Sequence, residues 1–557
     1  MTTTLFDQLN DAMLPKLFAI NPDMATTMGM HQAYDHHLPH GGVQRLDANI
    51  VLLDEWLRKA EGIATQESLS RDQRISLAVL RMAHATQRFA RHDYPLWMMY
   101  PDALEWPGTV MFTALNQEYA PYEERISGIT SRIAELPRFL SQFRERFKPG
   151  RPVRAWTESA IITAESFEGF LKEIRESSAS KIPKGYEIRL GQTISDAIPA
   201  IRDHIGWLHD LKDRATDDFA MGRENFEKLM RLRGFELSSS QMLTLAETGL
   251  SEMKSVRNRH VVRLTDGGGL EQAYERIRAD SPGTFEEVIE ETAAEVESAK
   301  AFIVDKGLAT IPTGPTLKVI ETPKFLQESM PSAALYMPAL FDKQQDGIYI
   351  VTRPKDRSDL QQNWNRAAII NTSVHEAYPG HFHQGVMSNK RPWPHHLLHA
   401  LMHPDSMITA YETQEGWAYY CEKMMFDRGY KATDEAAIAM LDAAIWRACR
   451  VIYDIKLHFG EATIEQMADM LVREASATKD VAMSEVKGFS RTPGYPISYF
   501  IGRHMVLELR RRLEAELGSL FNERRFHDLI ALNGNLPFCL AREVILDEMR
   551  TSARRGP

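Results

Sequence analysis

Cysteine is scarce in this chain, and long apolar segments are missing. The 557 residues contain three cysteines, Cys421, Cys449 and Cys539, which lie far apart in the sequence. An odd number of widely spaced cysteines gives no disulfide framework and is typical of a reducing compartment. No apolar run approaches the ~18 residues of a membrane-spanning helix, and the first residues, MTTTLFDQ, lack the basic and apolar regions of a signal peptide. We therefore expect a cytoplasmic protein with no membrane partner.

The chain also lacks a strong charge of either sign. Its net charge of −10 is small for 557 residues, and charged residues make up 25% of the sequence. Nucleic acids and anionic membranes bind basic surfaces, so neither is an expected partner. The apolar content of 43% is that of a soluble globular protein. The sequence gives no indication of the oligomeric state.

Residues 375–381, with the sequence HEAYPGH, place two imidazoles and one carboxylate close together. On a straight helix, side chains six positions apart point about 240° apart, so both histidines cannot face one ion. Pro379 removes a backbone N–H and crowds the preceding turn, and Gly380 permits backbone angles closed to other residues. We predict that this pair breaks the helix and turns His381 back toward His375. The alternative is a helix that ends in a Pro-Gly turn and carries two ordinary surface histidines.

A candidate third ligand, Glu415, follows in the sequence EGWA. It shares one helix face with Tyr411, Tyr419 and Glu422, a spacing that is either a solvated surface or the lining of a buried polar site. Two imidazoles and one carboxylate are the ligands of many catalytic zinc ions, and they leave one coordination position open for water. Glu376, next to the first histidine, is then the candidate general base. The sequence therefore predicts one Zn²⁺ ion as the cofactor.

These motifs resemble the bacterial "domain of unknown function 885" family. The residues that carry the resemblance are His375 to His381 with Gln384, Glu415 to Ala418 with Tyr420 and Glu422, Pro493-Gly494 with Ser498, Tyr499 and Gly502, and, more weakly, Tyr122 to Ile126. The resemblance implies a zincin-like metallohydrolase akin to carboxypeptidase Taq and the thimet oligopeptidases. It implies His375, His381 and Glu415 as metal ligands and Glu376 as the general base. The chain has Phe382 and Tyr495 where the family pattern has His and Gln.

Helical periodicity covers most of the chain and predicts a mainly α protein. One predicted helix spans residues 358–378 and leads to the histidines, and another spans residues 405–428 around Glu415. There is no Gly/Ser linker, charge block or repeat that would divide the chain. We therefore expect a large, two-lobed, helical, zincin-like fold. Its N-terminal helical lobe spans 1–315 and its catalytic lobe spans 316–557, packed as one continuous body.

Only a few segments have the composition of strands. Thr316–Glu321 and Gly347–Thr352 are short runs rich in β-branched and aromatic residues, and Ala333–Tyr336 is a candidate third strand. All three precede the predicted metal-binding helix. We expect one small β-sheet beside the active-site cleft.

Several further residues are candidates for supporting roles. Tyr499 is the first candidate to stabilise an oxyanion, and Tyr495 the second, because a positioned phenol can donate a hydrogen bond there. A half-buried structural role is the alternative for both tyrosines. Glu412 or Glu422 is expected to orient a ligand histidine, and Arg491 and Arg503 to bind a substrate carboxylate or to lie on the surface. The remaining candidates for the site are Tyr378 and Gln384.

A second set of histidines offers a rival metal site. His395, His399 and His403 recur at helical spacing, with His396 beside the first. Pro392, Pro394 and Pro404 bracket this segment and leave room for only a short helix. No carboxylate lies within it, so it lacks a base, and a loop near the cleft is the preferred interpretation.

Three functions remain open from the sequence. The first is a zinc metallopeptidase that hydrolyses short peptides, and the second is a zinc amidohydrolase that acts on a small non-peptide amide. The third is a non-catalytic helical scaffold that retains the motif. A free edge strand near Ile348–Ile350, able to pair with an extended backbone, favours the peptidase. A closed pocket favours the small amide.

Overall fold

The computed structural model describes residues 4–31, 33–148, 150–327, 330, 332–391 and 411–555. They form a mainly helical protein with one small sheet, as the sequence predicts. The helices before the sheet are α1 (Leu5–Ile20), α2 (Pro22–Thr27), α3 (Val43–Gln66), α4 (Arg71–Arg88), α5 (Glu105–Asn116), α6 (Tyr122–Arg144), α7 (Arg154–Ser178), α8 (Lys184–Lys212), α9 (Gly222–Leu232), α10 (Ser239–Leu264), α11 (Leu270–Ala279) and α12 (Phe285–Lys306). None of the described helices combines the length and the apolar character that crossing a membrane requires.

The sheet and the helices after it make up the rest of the described chain. The strands are β1 (Leu317–Glu321), β2 (Ala333–Tyr336) and β3 (Gly347–Val351). The helices are α13 (Arg357–Asn363), α14 (Arg366–Glu376), α15 (His381–Asn389), α16 (Tyr411–Asp427), α17 (Asp434–His458), α18 (Ile464–Ala475), α19 (Lys479–Phe489), α20 (Ile497–Leu517), α21 (Glu523–Leu532) and α22 (Phe538–Arg555).

The three strands are ordered β1-β3-β2. β3 pairs in parallel with β1, from Leu317 opposite Gly347 to Glu321 opposite Val351, and it pairs antiparallel with β2. All five residues of β3 are buried, because this strand has a neighbour on each side and is covered on both faces. The strand near Ile348 is therefore central and has no free edge, and the edge strands of the described sheet are β1 and β2.

The predicted helix 358–378 is in fact two helices. Trp364 ends α13, and the side chain of Asn365 caps the start of α14 by accepting a hydrogen bond from the N–H of Ala368. An Asn in extended backbone conformation at this position satisfies a free N–H and starts a new helix. The helix that carries His375 is therefore α14, which is shorter than predicted and ends at Glu376.

One large hydrophobic core draws on both ends of the chain. Phe6 of α1 and Leu53 of α3 belong to the same buried cluster as Tyr349 of β3, Trp417 of α16 and Val544 of α22. Helix α14 contacts α12, α16 and α17 and so lies in the interior of the protein. The division into two lobes at residue 315 stays a prediction.

Candidate metal centre

The break between α14 and α15 lies where the sequence predicts it. Helix α14 ends at Glu376 and α15 begins at His381, with the Pro-Gly pair between them. The N–H of Gly380 donates to the carbonyl of Val374 at 3.1 Å. A Cβ atom at Gly380 would lie 1.8 Å from the carbonyl oxygen of His375, so no residue with a side chain fits this turn. The turn folds the start of α15 back over the end of α14.

The turn brings the two histidines together over the third candidate ligand. The ring centroids of His375 and His381 are 4.7 Å apart. Oε2 of Glu415, on α16, lies 3.4 Å from Nε2 of His375 and 3.2 Å from Nε2 of His381. One ligand atom from each of the three residues lies within 4.8 Å of the others, and all three residues are buried. The structure therefore brings the three predicted ligands to one point.

The chemistry of these atoms fits a divalent cation. Oε2 of Glu415 is buried and receives no hydrogen bond of good geometry from the described residues, although two ring nitrogens face it. Burial alone would raise the pKa of Glu415, but His381 and His375 hold it well below its usual value. A buried carboxylate is costly unless it is paired or binds a metal. Two imidazoles and one carboxylate match the ligand set of a zinc site with an open position.

A buried carboxylate on α16 fixes the orientation of the first histidine. Nδ1 of His375 lies 2.8 Å from Oε1 of Glu422. Glu422 also accepts hydrogen bonds from Asn371 at 3.1 Å and from Arg447 at 3.1 Å. Burial alone would raise the pKa of Glu422, but Arg447 and His375 lower it. A carboxylate at Nδ1 leaves Nε2 free to face the metal position.

The other candidate for this role, Glu412, lies elsewhere. It accepts a hydrogen bond from Arg233 at 2.9 Å and one from the N–H of Phe538 at 3.1 Å, and it contacts neither histidine. Of the two carboxylates proposed from the sequence, Glu422 is therefore the one placed to orient a ligand.

Replacing Glu422 by Gln tests this arrangement. The substitution keeps the shape of the side chain and removes the charge that holds His375, so we expect metal affinity to fall about 10- to 100-fold. Competition with a chelator of known affinity measures the change. Glu516→Gln is the control, because Glu516 also binds an arginine, Arg550, but at the protein surface. Equal affinities of the two variants would show that Glu422 does not orient the ligand.

Glu376 lies beside the three ligand residues. It lines the same cleft and is buried, but it is not one of the three residues whose ligand atoms converge. Burial raises the pKa of its carboxyl, against the opposing effect of His375 and His381. A carboxylate in this position can accept a proton more readily than one in water.

Two tyrosines on the other side of the site form a hydrogen-bonded chain. The hydroxyl of Tyr495 donates to Oε1 of Glu415 at 2.7 Å, and the hydroxyls of Tyr495 and Tyr499 are 2.9 Å apart. Helices α16 and α20 approach closely here, because a Cβ atom at Gly416 would lie 2.4 Å from the backbone of Gly502. Tyr495 therefore supports the third candidate ligand, and Tyr499 donates to Tyr495, since the one hydroxyl hydrogen of Tyr495 is given to Glu415.

A buried clamp holds the turn that presents Tyr495. The carbonyl of Gly494 accepts from Arg233 at 2.6 Å, and its N–H donates to Asp454 at 2.9 Å. Gly494 has φ of +79°, a conformation that favours glycine. The roles of Arg233, Asp454 and Arg447 cannot be read from local sequence patterns, because they come from contacts between distant segments.

The ligand residues open into a cleft of about 630 Å³. All four residues of β2 line it, together with Arg491, Tyr495 and Tyr499. The cleft is large enough for a ligand the size of a short peptide. Its walls combine apolar side chains such as Met28 with polar groups.

Three other predicted residues lie away from this cleft. Arg503 packs its guanidinium over the ring of Tyr419, 4.8 Å from its centroid. Tyr378 is buried in the large hydrophobic core, and Gln384 donates to the carbonyl of Thr413 at 3.3 Å. These contacts support the fold around the site. The rival set at residues 395, 399 and 403 lies outside the described residues.

Residues 22–545 match the family described as "Bacterial protein of unknown function (DUF885)". The chain belongs to this family, as its motifs predict. No curated protein matches the chain.

Two solved structures are similar to this chain over nearly its whole length. One is of a candidate lipoprotein of unknown function from Shewanella oneidensis, with a TM-score of 0.74 and 20% identity, covering 98% of this chain and 100% of that one. The other is of a candidate lipoprotein from Colwellia psychrerythraea, with a TM-score of 0.81 and 18% identity, covering 99% and 100%. At these identities the similarity establishes a shared fold.

Proposed function

We propose that this chain is a zinc-dependent metallopeptidase that hydrolyses amide bonds of short peptides. One observation carries the proposal: His375, His381 and Glu415 converge on one point, with Glu376 beside them in an open cleft. Two imidazole nitrogens that face one buried carboxylate oxygen favour a metal centre over a scaffold without activity, because a buried carboxylate is costly unless it is paired or binds a metal. The two-lobed zincin-like fold and the cytoplasmic location are part of this proposal. The two similar structures are of candidate lipoproteins, a name that does not favour a cytoplasmic location.

The reaction divides its tasks among the residues of the site. His375, His381 and Glu415 would hold the zinc ion, which when bound would supply Lewis acidity and make water acidic enough to ionise near neutral pH. Glu376 accepts the proton of the attacking water and returns it to the leaving nitrogen. Tyr499 exchanges its hydrogen bond to Tyr495 for one to the oxyanion that develops on the amide carbonyl.

The free edge of β2 favours a peptide over a small amide. The N–H of Thr352 donates to the carbonyl of Ser332 at 2.8 Å. Since hydrogen-bonded and non-hydrogen-bonded pairs alternate in antiparallel strands, the backbone groups of Ala333 and Leu335 point away from β3. No described strand pairs with this edge, which borders the cleft. An extended peptide can add to such an edge as a further strand.

Metal analysis of the purified chain beside His381→Ala tests the proposal, together with hydrolysis of a mixed peptide library. We expect about one zinc ion per wild-type chain. Loss of a ligand should weaken metal binding by more than the about 10- to 100-fold that loss of an orienting partner costs. His209→Ala is the control, because His209 is exposed on α8.

Two outcomes would contradict the proposal in different ways. A wild-type chain that binds no divalent metal would leave the helical scaffold as the better function. A chain that binds zinc and cleaves small amides but no library peptide would favour the amidohydrolase.

A further inference from the structure

The described lining of the cleft contains one charged pair apart from the candidate metal site. Among the described residues that line it, Glu105 and Arg491 are the charged side chains other than the three ligand residues and Glu376. Glu105 begins α5, and Arg491 lies in the segment between α19 and α20. The two residues come from distant parts of the chain and meet in the wall of the cleft.

A half-buried tyrosine connects the two charges. Nη1 of Arg491 donates to the hydroxyl of Tyr100 at 2.7 Å, and this hydroxyl donates to Oε2 of Glu105 at 2.6 Å. Nη2 of Arg491 lies 3.4 Å from the same oxygen. The guanidinium also stacks over the ring of Tyr100, 4.8 Å from its centroid. Arg491 is thus engaged by its neighbours, and Oε2 of Glu105 is held in place.

The second oxygen of Glu105 is available to a ligand. Oε1 receives no hydrogen bond from any described residue, and the side chain is 24% exposed in the cleft. Asp102, whose Oδ1 accepts a hydrogen bond from the N–H of Glu105 at 2.9 Å, adds a second carboxylate behind the first. Burial and the charge of Glu105 raise the pKa of Asp102 to about 6, which is still below neutral pH. Two carboxylates beside one engaged guanidinium favour a cationic donor.

The pair lies within reach of a peptide bound at the metal site. Arg491 is four residues from Tyr495, so their Cα atoms are at most about 14 Å apart. The hydroxyl of Tyr495 touches the ligand carboxylate of Glu415. An extended peptide of a few residues covers this span.

We propose that Glu105 binds the α-ammonium group of the substrate, so that the cleft selects peptides with a free amino terminus. This inference rests on the proposed peptidase function. Tyr100 and Arg491 are positioning residues, because they fix Oε2 of Glu105 and leave Oε1 to accept the ligand's N–H groups. Recognition of a substrate carboxylate by Arg491 is disfavoured, since that guanidinium is already bound to Glu105 and Tyr100.

The test uses three versions of one tetrapeptide of leucine and alanine. The first has a free amino terminus and an amidated carboxyl terminus, the second is acetylated and amidated, and the third is acetylated with a free carboxylate. Equilibrium binding to the zinc-loaded full chain and kcat/KM are measured for the wild type, Glu105→Gln and the control Glu118→Gln. Glu118 is an exposed carboxylate just after α5.

We expect the wild type and Glu118→Gln to prefer the free-amino peptide about 10- to 100-fold over its acetylated form, the range of a hydrogen bond to a charged group. Glu105→Gln should lose this preference without weaker binding of the acetylated peptide. Equal binding of both forms by the wild type would overturn the inference, even if the variant does not fold. Preference for the free carboxylate would overturn it in favour of Arg491. If the preference appears in binding but no peptide is cleaved, the α-ammonium site stands and the peptidase function fails.

Discussion

Glu376→Gln is expected to bind zinc with wild-type affinity and to hydrolyse peptides about 10²- to 10⁴-fold more slowly. The amide cannot accept the proton of the attacking water, and general base catalysis contributes a factor of this size. Glu376 is not among the three residues whose ligand atoms converge, so the metal should remain. Single-turnover hydrolysis and metal content of the same preparation measure the two effects.

The neutral amide also removes a charge from a buried position. Burial already raises the pKa of the Glu376 carboxyl, so its replacement should not lower the melting temperature of the protein. Glu118→Gln serves as the control for loss of one carboxylate on the surface. Turnover by Glu376→Gln at the wild-type rate would assign the base to another residue, and loss of zinc would make Glu376 a ligand.

Gly380→Ala is expected to abolish high-affinity metal binding. The added Cβ would lie 1.8 Å from the carbonyl oxygen of His375 and 2.5 Å from that of Val374. Both contacts are with backbone, which cannot move aside as a flexible side chain can. The turn must open, and His381 then moves away from His375. The strain should also destabilise the fold by about 1–3 kcal/mol or more.

The matched control is Gly206→Ala. Gly206 lies on the exposed side of α8, and a Cβ atom there would meet nothing within 4 Å. Alanine inside a helix is favoured over glycine by about 1 kcal/mol, so this variant should bind zinc normally and melt slightly higher. Calorimetric zinc titration and thermal melting compare the two. Wild-type zinc affinity in Gly380→Ala would mean that the tight turn is not what brings the ligands together.

The part of the site that depends on local sequence was predictable. Steric rules for Pro379 and Gly380 predict the break between two helices, and the structure has it at that point. The spacing of Glu415 and Glu422 on one helix face is likewise a local property. In the structure, Glu415 faces Nε2 of both histidines, and Glu422 faces Nδ1 of His375.

The parts that depend on long-range pairing were not predictable. The order of the strands is decided by which segments meet across the chain, although the continuous apolar run Ile348–Val351 is typical of a strand buried on both faces. The choice between Glu412 and Glu422 depends on Arg233, which directly follows α9, and on Arg447, which belongs to α17. The split between α13 and α14, in contrast, has a local signal in the capping residue Asn365.

The clamp around Gly494 has a consequence for dividing this protein into pieces. Arg233 lies far ahead of the three ligand residues in the sequence, yet it fixes the turn whose tyrosine supports Glu415. A shortened polypeptide that starts after residue 315 would keep both histidines and Glu415 and would lose this guanidinium. The position of Glu415 therefore depends on residues both before and after residue 315. A C-terminal half produced alone would contain the three candidate ligands but would lack the arginine that holds the turn before Tyr495.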